Sequence, residues 1–140
     1  MNIKFKKLYD YAIPFKYSRN GDACMDMFSR EHIFISPFRH ELIRTGICVE
    51  IPKGFEGQVR GRSGLAYKDG LIVHVGTIDC TYRGEIGVIM FNHSYNVKEI
   101  KTGMRIAQFS VHPVISLDLV ESEELSSTER GTQGYGSSGS

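Results

Sequence analysis

The chain has 140 residues, 41% of them hydrophobic and 24% charged, and its 17 basic side chains stand against 16 acidic ones for a net charge of +1. That length and composition describe one globular domain with an ordinary core, which excludes wholesale disorder and removes any need for a metal or disulfide staple. The near-zero charge gives no general footprint for nucleic acid or an anionic membrane, no apolar run approaches the roughly 18 residues of a membrane span, and Met1-Asn2-Ile3-Lys4 opens no signal peptide.

Helical periodicity is nearly absent. In chain order, short apolar or alternating runs predict strands over residues 3–8, 32–35, 46–51, 55–60, 71–75, 86–91, 96–100, 105–111 and 114–120. Phe55, Gly57 and Val59 alternate with Glu56, Gln58 and Arg60, the pattern of a half-buried strand. The runs 86–91 and 114–120 are apolar on nearly every position, so they need cover on two faces, from a second sheet or a neighbouring subunit. Pro14, Pro37, Pro52 and Pro113 all fall at run edges. Between strands, residues 63–70 combine a capping residue, Ser63, with good helix formers and a stop at Gly70, which predicts one short helix. The run 71–75, followed by Gly76-Thr77 and Ile78, reads as a β-hairpin or tight bend in which a glycine supplies an unusual dihedral. The fold class expected is all-β with a single short helix. Residues 1–120 form the domain and residues 121–140, acidic and then rich in glycine and serine, form a flexible arm.

Cys24, Cys48 and Cys80 are odd in number and widely spaced with no CxxC pair. This suits a reducing compartment, so a cytoplasmic location is expected and each cysteine is read as a small buried hydrophobe. The five histidines show no HxxxH or HExxH spacing, and metal ligation by imidazole is not expected. Read by themselves, Asp26 is a surface carboxylate, Arg62 a phosphate contact or a salt-bridging arginine, and Gln108 a solvated strand residue. The tail lacks the Walker pattern, although glycines among hydroxyls suit a phosphate-cradling loop.

Five segments, in order, resemble the trimeric dUTP pyrophosphatase (dUTPase) family. They are Ala23-Cys24-Met25-Asp26-Met27-Phe28-Ser29, Gly61-Arg62-Ser63-Gly64-Leu65-Ala66, the run from Gly76-Thr77-Ile78-Asp79 through Tyr82-Arg83-Gly84, Gly103-Met104-Arg105-Ile106-Ala107-Gln108, and the glycine-rich tail from Arg130 to Gly139. The resemblance implies a homotrimeric, distorted jelly-roll or β-barrel enzyme that hydrolyses dUTP to dUMP and pyrophosphate with Mg²⁺, limiting uracil in DNA and supplying dUMP. It implies that Asp79 is the general base aligning water on the α-phosphorus, and that Asp26 holds through water a Mg²⁺ clasped by the phosphates. Arg62, Ser63, Gly64 and Gln108 would bind phosphate oxygens, and the main chain around Val73 and Gly76 would read uracil. Tyr82 would pack on the deoxyribose. In the tail, Arg130 would meet the terminal phosphate, Tyr135 would stack on uracil, and Gly131, Thr132, Gly136, Ser137 and Ser138 would wrap the phosphates. Each site would draw on all three chains, and Arg105 could instead pair with an acid between subunits.

The sequence departs from the family at several points. Cys24 and Gln133 stand for glycines, Gly61 for a common proline, Tyr135 for phenylalanine and Ser138 for threonine, while Cys80-Thr81 replaces a pair that normally includes an acid. Cys24 and Gln133 would occupy positions suited to positive φ. Two alternatives stay open: a dCTP deaminase of the same fold, which usually has a catalytic glutamate where Arg83 stands and lacks the tail, and a nucleotide-binding trimer without catalysis.

Overall fold

In this computed structural model the described residues are 2–134, so the expectations for Tyr135, Gly136, Ser137 and Ser138 lie outside them. Within that range the strands are β1 (Lys4–Lys7), β2 (Met25–Phe28), β3 (Ile33–Ile35), β4 (His40–Arg44), β5 (Ile47–Glu50), β6 (Phe55–Arg60), β7 (Leu71–Val73), β8 (Gly76–Ile78), β9 (Gly87–Asn92), β10 (Lys98–Ile100) and β11 (Arg105–Pro113), with one helix, α1 (Ser63–Asp69). A four-stranded sheet in the order β2-β11-β6-β8 and a three-stranded sheet β4-β9-β7 form the body, closed by the pairs β1-β5 and β3-β10. Every pairing is antiparallel. The result is a distorted, jelly-roll-like β-barrel.

Inward residues of the sheets meet in one core. Met27 on β2, Phe109 on β11, Ile43 on β4 and Val88 and Met90 on β9 are fully buried. Each large apolar side chain removed from water in this way contributes about 1.5–3 kcal/mol. Gly57 is the floor for Phe109, because a Cβ there would lie 2.6 Å from the ring. Asn92, also buried, has no unmet need: its amide donates to the carbonyls of Ile35 and Asn96, and its Oδ1 accepts from Ser94. It ties the end of β9 to β3 and to the approach to β10.

The strands predicted from alternation stand at or near their expected places, and β6 has the expected bounds. Four expectations change. The run 114–120 is not a strand: β11 ends at Pro113, the Val114 N–H bonds to Gly54 O, and Ile115, Leu117, Leu119 and Val120 beyond it are exposed. Apolar side chains alone do not make a strand; the backbone must also find a ladder partner. Residues 71–78 form no hairpin, because β7 pairs with β9 and β8 pairs with β6 in the other sheet. Gly76 supplies no positive φ, and the His74-Val75 bend crosses between sheets without one. Ser63 is not the helix cap; Arg62 is, with extended dihedrals and no side-chain capping bond, while Gly70 ends the helix at φ 65° as expected. Finally, all three cysteines are free, as half-buried residues rather than buried ones. Among the described residues no helix is long and apolar enough to cross a membrane.

Candidate active site

One polar cluster forms where β2 meets β11. Asp26 lies opposite Gln108, and Gln108 lies opposite Arg60 on β6, so three polar side chains follow one another across the sheet. Asp26 is not a surface carboxylate; it is 4% exposed. Its Oδ2 accepts from Ser18 Oγ at 2.5 Å and from Arg105 Nη1 at 3.2 Å, and its Oδ1 lies 3.7 Å from Arg62 Nε. Burial pushes the Asp26 carboxyl up, but the Ser18 and Arg105 hydrogen bonds and the charges of Arg62 and Arg105 outweigh it and hold the group below its ordinary range. Asp26 is therefore an anion at neutral pH. Arg62 also donates from Nη1 to Arg105 O at 2.9 Å, so helix α1 begins on a residue tied to both β2 and β11. The acid that Arg105 pairs with is thus in its own chain. Ser18 was not singled out by the sequence; it stands in a polar run with no periodicity, and nothing there marks it as a carboxylate's partner.

The first-turn N–H groups of a helix have no intrahelical acceptors. At Ser63 and Gly64 they leave the chain directly after Arg62, and nothing lies within 4 Å of where a Gly64 Cβ would stand. An arginine, a hydroxyl and a glycine N–H thus follow one another in the chain at this corner, groups of the kinds that bind phosphate.

A second group of residues sits elsewhere. Asp79 is exposed and follows β8, and the Tyr82 N–H bonds to its carbonyl at 3.0 Å. With Thr77 and Ile78, Asp79 and Tyr82 line a cavity of about 360 Å³ that Leu42 and Ile89 also line. Val73 is buried on β7, and His74 N bonds to Ile89 O, so one side of this main chain is committed to β9. β7 and β8 are both edge strands, of different sheets. Each therefore has an outer row of N–H and C=O groups without a ladder partner, available to a ligand.

The two groups are far apart within one chain. Ile78 pairs with Gly57 near one end of β6, whereas Asp26 and Gln108 are level with Arg60 at the other end. Four residues along β6 and three strand spacings across the sheet put about 20 Å between Asp79 and Asp26.

A family model described as dUTPase matches residues 10–139. The chain belongs to the dUTPase family. It is 48% identical to the deoxyuridine 5'-triphosphate nucleotidohydrolase of a Picosynechococcus strain, with 99% of each chain covered, and 46% identical to that of Clostridioides difficile, with 99% of this chain and 98% of the relative covered. Among solved structures, the dUTPase of Staphylococcus bacteriophage 80alpha with dUpNHpp superposes at a TM-score of 0.94 with 29% identity and 99% of each chain covered. That of phage phi11 of S. aureus, whose structure describes the coordination of a structural Mg(II) ion, superposes at 0.85 with 25% identity, covering 89% of this chain and 98% of the other. Family membership favours the nucleotidohydrolase reading over the deaminase one.

Against this family's pattern the departures at Cys24 and Gln133 cost no backbone strain, since neither residue has a positive φ. No group of three metal-ligating side chains occurs among the described residues. A lone ionised carboxylate, with Oδ2 engaged by Ser18 and Arg105 and Oδ1 only loosely approached by Arg62, does not fit direct ligation. It does fit an outer contact to a hydrated ion carried by phosphates, the usual manner of Mg²⁺. Arg130 bonds within its own turn, to Gln133 O, and the Gly131 N–H returns to Thr128, with Gly131 at φ 54°. Among the described residues, neither these two nor Thr132 makes a hydrogen bond or ion pair to either polar group.

Proposed function

We propose that this protein hydrolyses dUTP to dUMP and pyrophosphate, as a homotrimer in which each active site takes the Asp26-Arg62 corner from one copy and the Asp79-Tyr82 turn from another. The observation that carries this reading is the register that sets the two groups at opposite ends of β6 and three strands apart, a separation of about 20 Å at ideal strand spacings. A single α-phosphorus cannot be within one water of Asp79 while its phosphates rest on Asp26 and Arg62 of the same chain. Two facing copies remove the conflict, and closed symmetric assemblies supply such faces. The exposed apolar residues after Pro113 support the same arrangement, because they have no cover in their own chain. In this reading residues 1–120 are the catalytic body, and residues 121–140 are an arm whose Arg130, Gly131, Thr132, Tyr135, Gly136, Ser137 and Ser138 close over the nucleotide.

The role of each residue is the one that the family resemblance implies, and its surroundings support it. Arg62, Ser63, Gly64 and Gln108 bind phosphate oxygens and neutralise charge as the anhydride breaks. Asp79, exposed at the end of β8, accepts a proton from a water as that water's oxygen attacks the α-phosphorus. The α–β bridging oxygen leaves with pyrophosphate. Free main-chain groups at Val73 and Gly76 pair with uracil, and a cytosine there would leave buried polar groups unpaired. Tyr82 lies against the sugar, where a 2′-hydroxyl would collide with its ring. When bound, Mg²⁺ supplies charge neutralisation on the triphosphate, and Asp26 would hold it through water. The reaction limits uracil in DNA and supplies dUMP, in a cytoplasmic setting that suits the three free thiols.

Pyrophosphate release measured with dUTP, dTTP, dCTP and UTP, each with and without Mg²⁺, tests this reading. Release from dUTP alone, dependent on Mg²⁺, is the expected result. Ammonia from dCTP, or dUTP bound and left intact, would refute it.

A further inference from the structure

The turn that carries Asp79 and Tyr82 ends on a residue that none of the sequence motifs used. Glu85 is only 12% exposed at its side chain, and both its oxygens are taken. Oε1 accepts from the Gly46 N–H at 2.7 Å and from Arg30 Nε at 3.0 Å, and Oε2 accepts from Arg44 Nη1 at 3.3 Å. Arg30 is itself confined, with its guanidinium 4.6 Å above the Tyr9 ring and Nη2 3.4 Å from Glu31 Oε1. One residue further on, Thr45 Oγ1 donates to Ile86 O at 2.6 Å and the Ile86 N–H bonds to Ile47 O. The turn between β4 and β5 thus grips Glu85 and Ile86 by side chain and main chain together.

The grip passes directly to Tyr82. Its hydroxyl donates to the carbonyl of Glu85 at 3.0 Å, and its ring folds over Gly84, where a Cβ would lie 2.4 Å from the hydroxyl oxygen. Arg83 turns back and donates to the carbonyls of Cys80 and Tyr82, closing the turn on itself. Tyr82 and Glu85 line the same cavity as Asp79. A half-exposed tyrosine on a seven-residue turn would otherwise be free to swing.

We propose that Glu85 is a positioning residue for Tyr82: its buried carboxylate, clamped by Arg30, Arg44 and the Gly46 N–H, fixes the end of the turn so that the phenol ring stands at one depth against the sugar. This rests on the reading of Tyr82 as the wall that meets deoxyribose. Burial raises the Glu85 carboxyl, but the Gly46 N–H and the two arginines overcome that effect and lower it, so the clamp is charged at neutral pH. An ion cluster is a poor way to stabilise a barrel, since well-packed apolar residues of the same volume do as much or more. What it provides is direction, and the element it directs is the sugar-facing turn.

The test compares kcat/KM for dUTP, UTP and dCTP in the full-length protein and in Glu85→Gln, which keeps the volume and loses the charge. The dUTP-to-UTP preference falls about tenfold, while the dUTP-to-dCTP preference, set by the main chain of another segment, stays as it was. Glu85→Asp, with the charge retained on a shorter stem, recovers part of the lost preference. A lower melting temperature with the sugar preference intact would mean that Glu85 only stabilises the fold and would overturn the proposal. Should Glu85→Gln not fold, Arg44→Gln removes the outermost contact of the clamp; a drop in the sugar preference alone supports the proposal, and no drop overturns it. The unmodified protein is measured first: if it shows no preference for dUTP over UTP, the reading of Tyr82 itself falls, and the proposal with it.

Discussion

The two polar ends of this barrel are built in opposite ways. At the Asp26 end the charges are already paired, with an excess of positive charge: a buried carboxylate lies between Arg62 and Arg105, and a serine completes its shell. At the Asp79 end the carboxylate proposed as the base is exposed on a turn, and the fixed charges sit one step behind it, around Glu85. A site that binds a triphosphate needs cations held in place before the ligand arrives, and an internal carboxylate holds them without filling the phosphate positions. A general base needs reach to a water instead, which an exposed turn provides if its root is fixed. Under the proposed function, the contrast means that binding and chemistry are separable in this barrel, each with its own scaffold.

Substitutions at the two ends therefore break different things. The largest effect belongs to Asp79→Asn, which lowers kcat about a thousandfold while leaving the affinity for a non-hydrolysable dUTP analogue and the melting temperature near their original values. Single-turnover kinetics with calorimetric titration of the analogue check it. Next is Arg62→Gln, which lowers kcat/KM about a hundredfold, mostly through weaker nucleotide binding, because a charged phosphate contact is lost and Asp26 is left with less compensation. Removal of the chain after Ser127 lowers kcat about tenfold or more, with melting unchanged, since residues 128–134 are exposed. The smallest effect is on acid stability. Asp26 and Glu85 are held below their ordinary values of 3.8 and 4.5, so each stabilises the fold above those values, and that stability is lost as pH falls through the lower folded-state values. Asp26→Asn lowers the melting temperature at neutral pH, where the carboxylate's contribution is full, and flattens the acid limb, so that the two profiles converge below about pH 4.

Strands with alternation or a continuous apolar run were legible in the sequence, as β6 and β9 illustrate. β4 was not, because Ile43 is its one buried residue among four exposed ones and no period emerges. The run 114–120 misled for the converse reason: its composition is that of a strand, yet none of its residues joins a sheet. Local motifs made Asp26, Arg62, Gln108, Asp79 and Tyr82 visible as residue types in sequence. Their grouping into two separate ends depends on register, on β2 and β6 both pairing with β11 and β8 pairing with β6, which no local pattern encodes. Ser18 and Glu85 act through contacts 8 and 55 residues away and left no mark.

Subunit complementation tests the central claim most directly. Asp79→Asn and Arg62→Gln proteins, each nearly inactive alone at dUTP well below KM, are unfolded together in equal amounts, refolded and assayed at that dUTP concentration for pyrophosphate release. Sites that take one half from each of two copies recover about a quarter of the unmodified activity on random mixing. If the mixture shows only the sum of the two residual activities although mixed oligomers have formed, both halves must serve the same site from one chain, and a site shared between copies is ruled out.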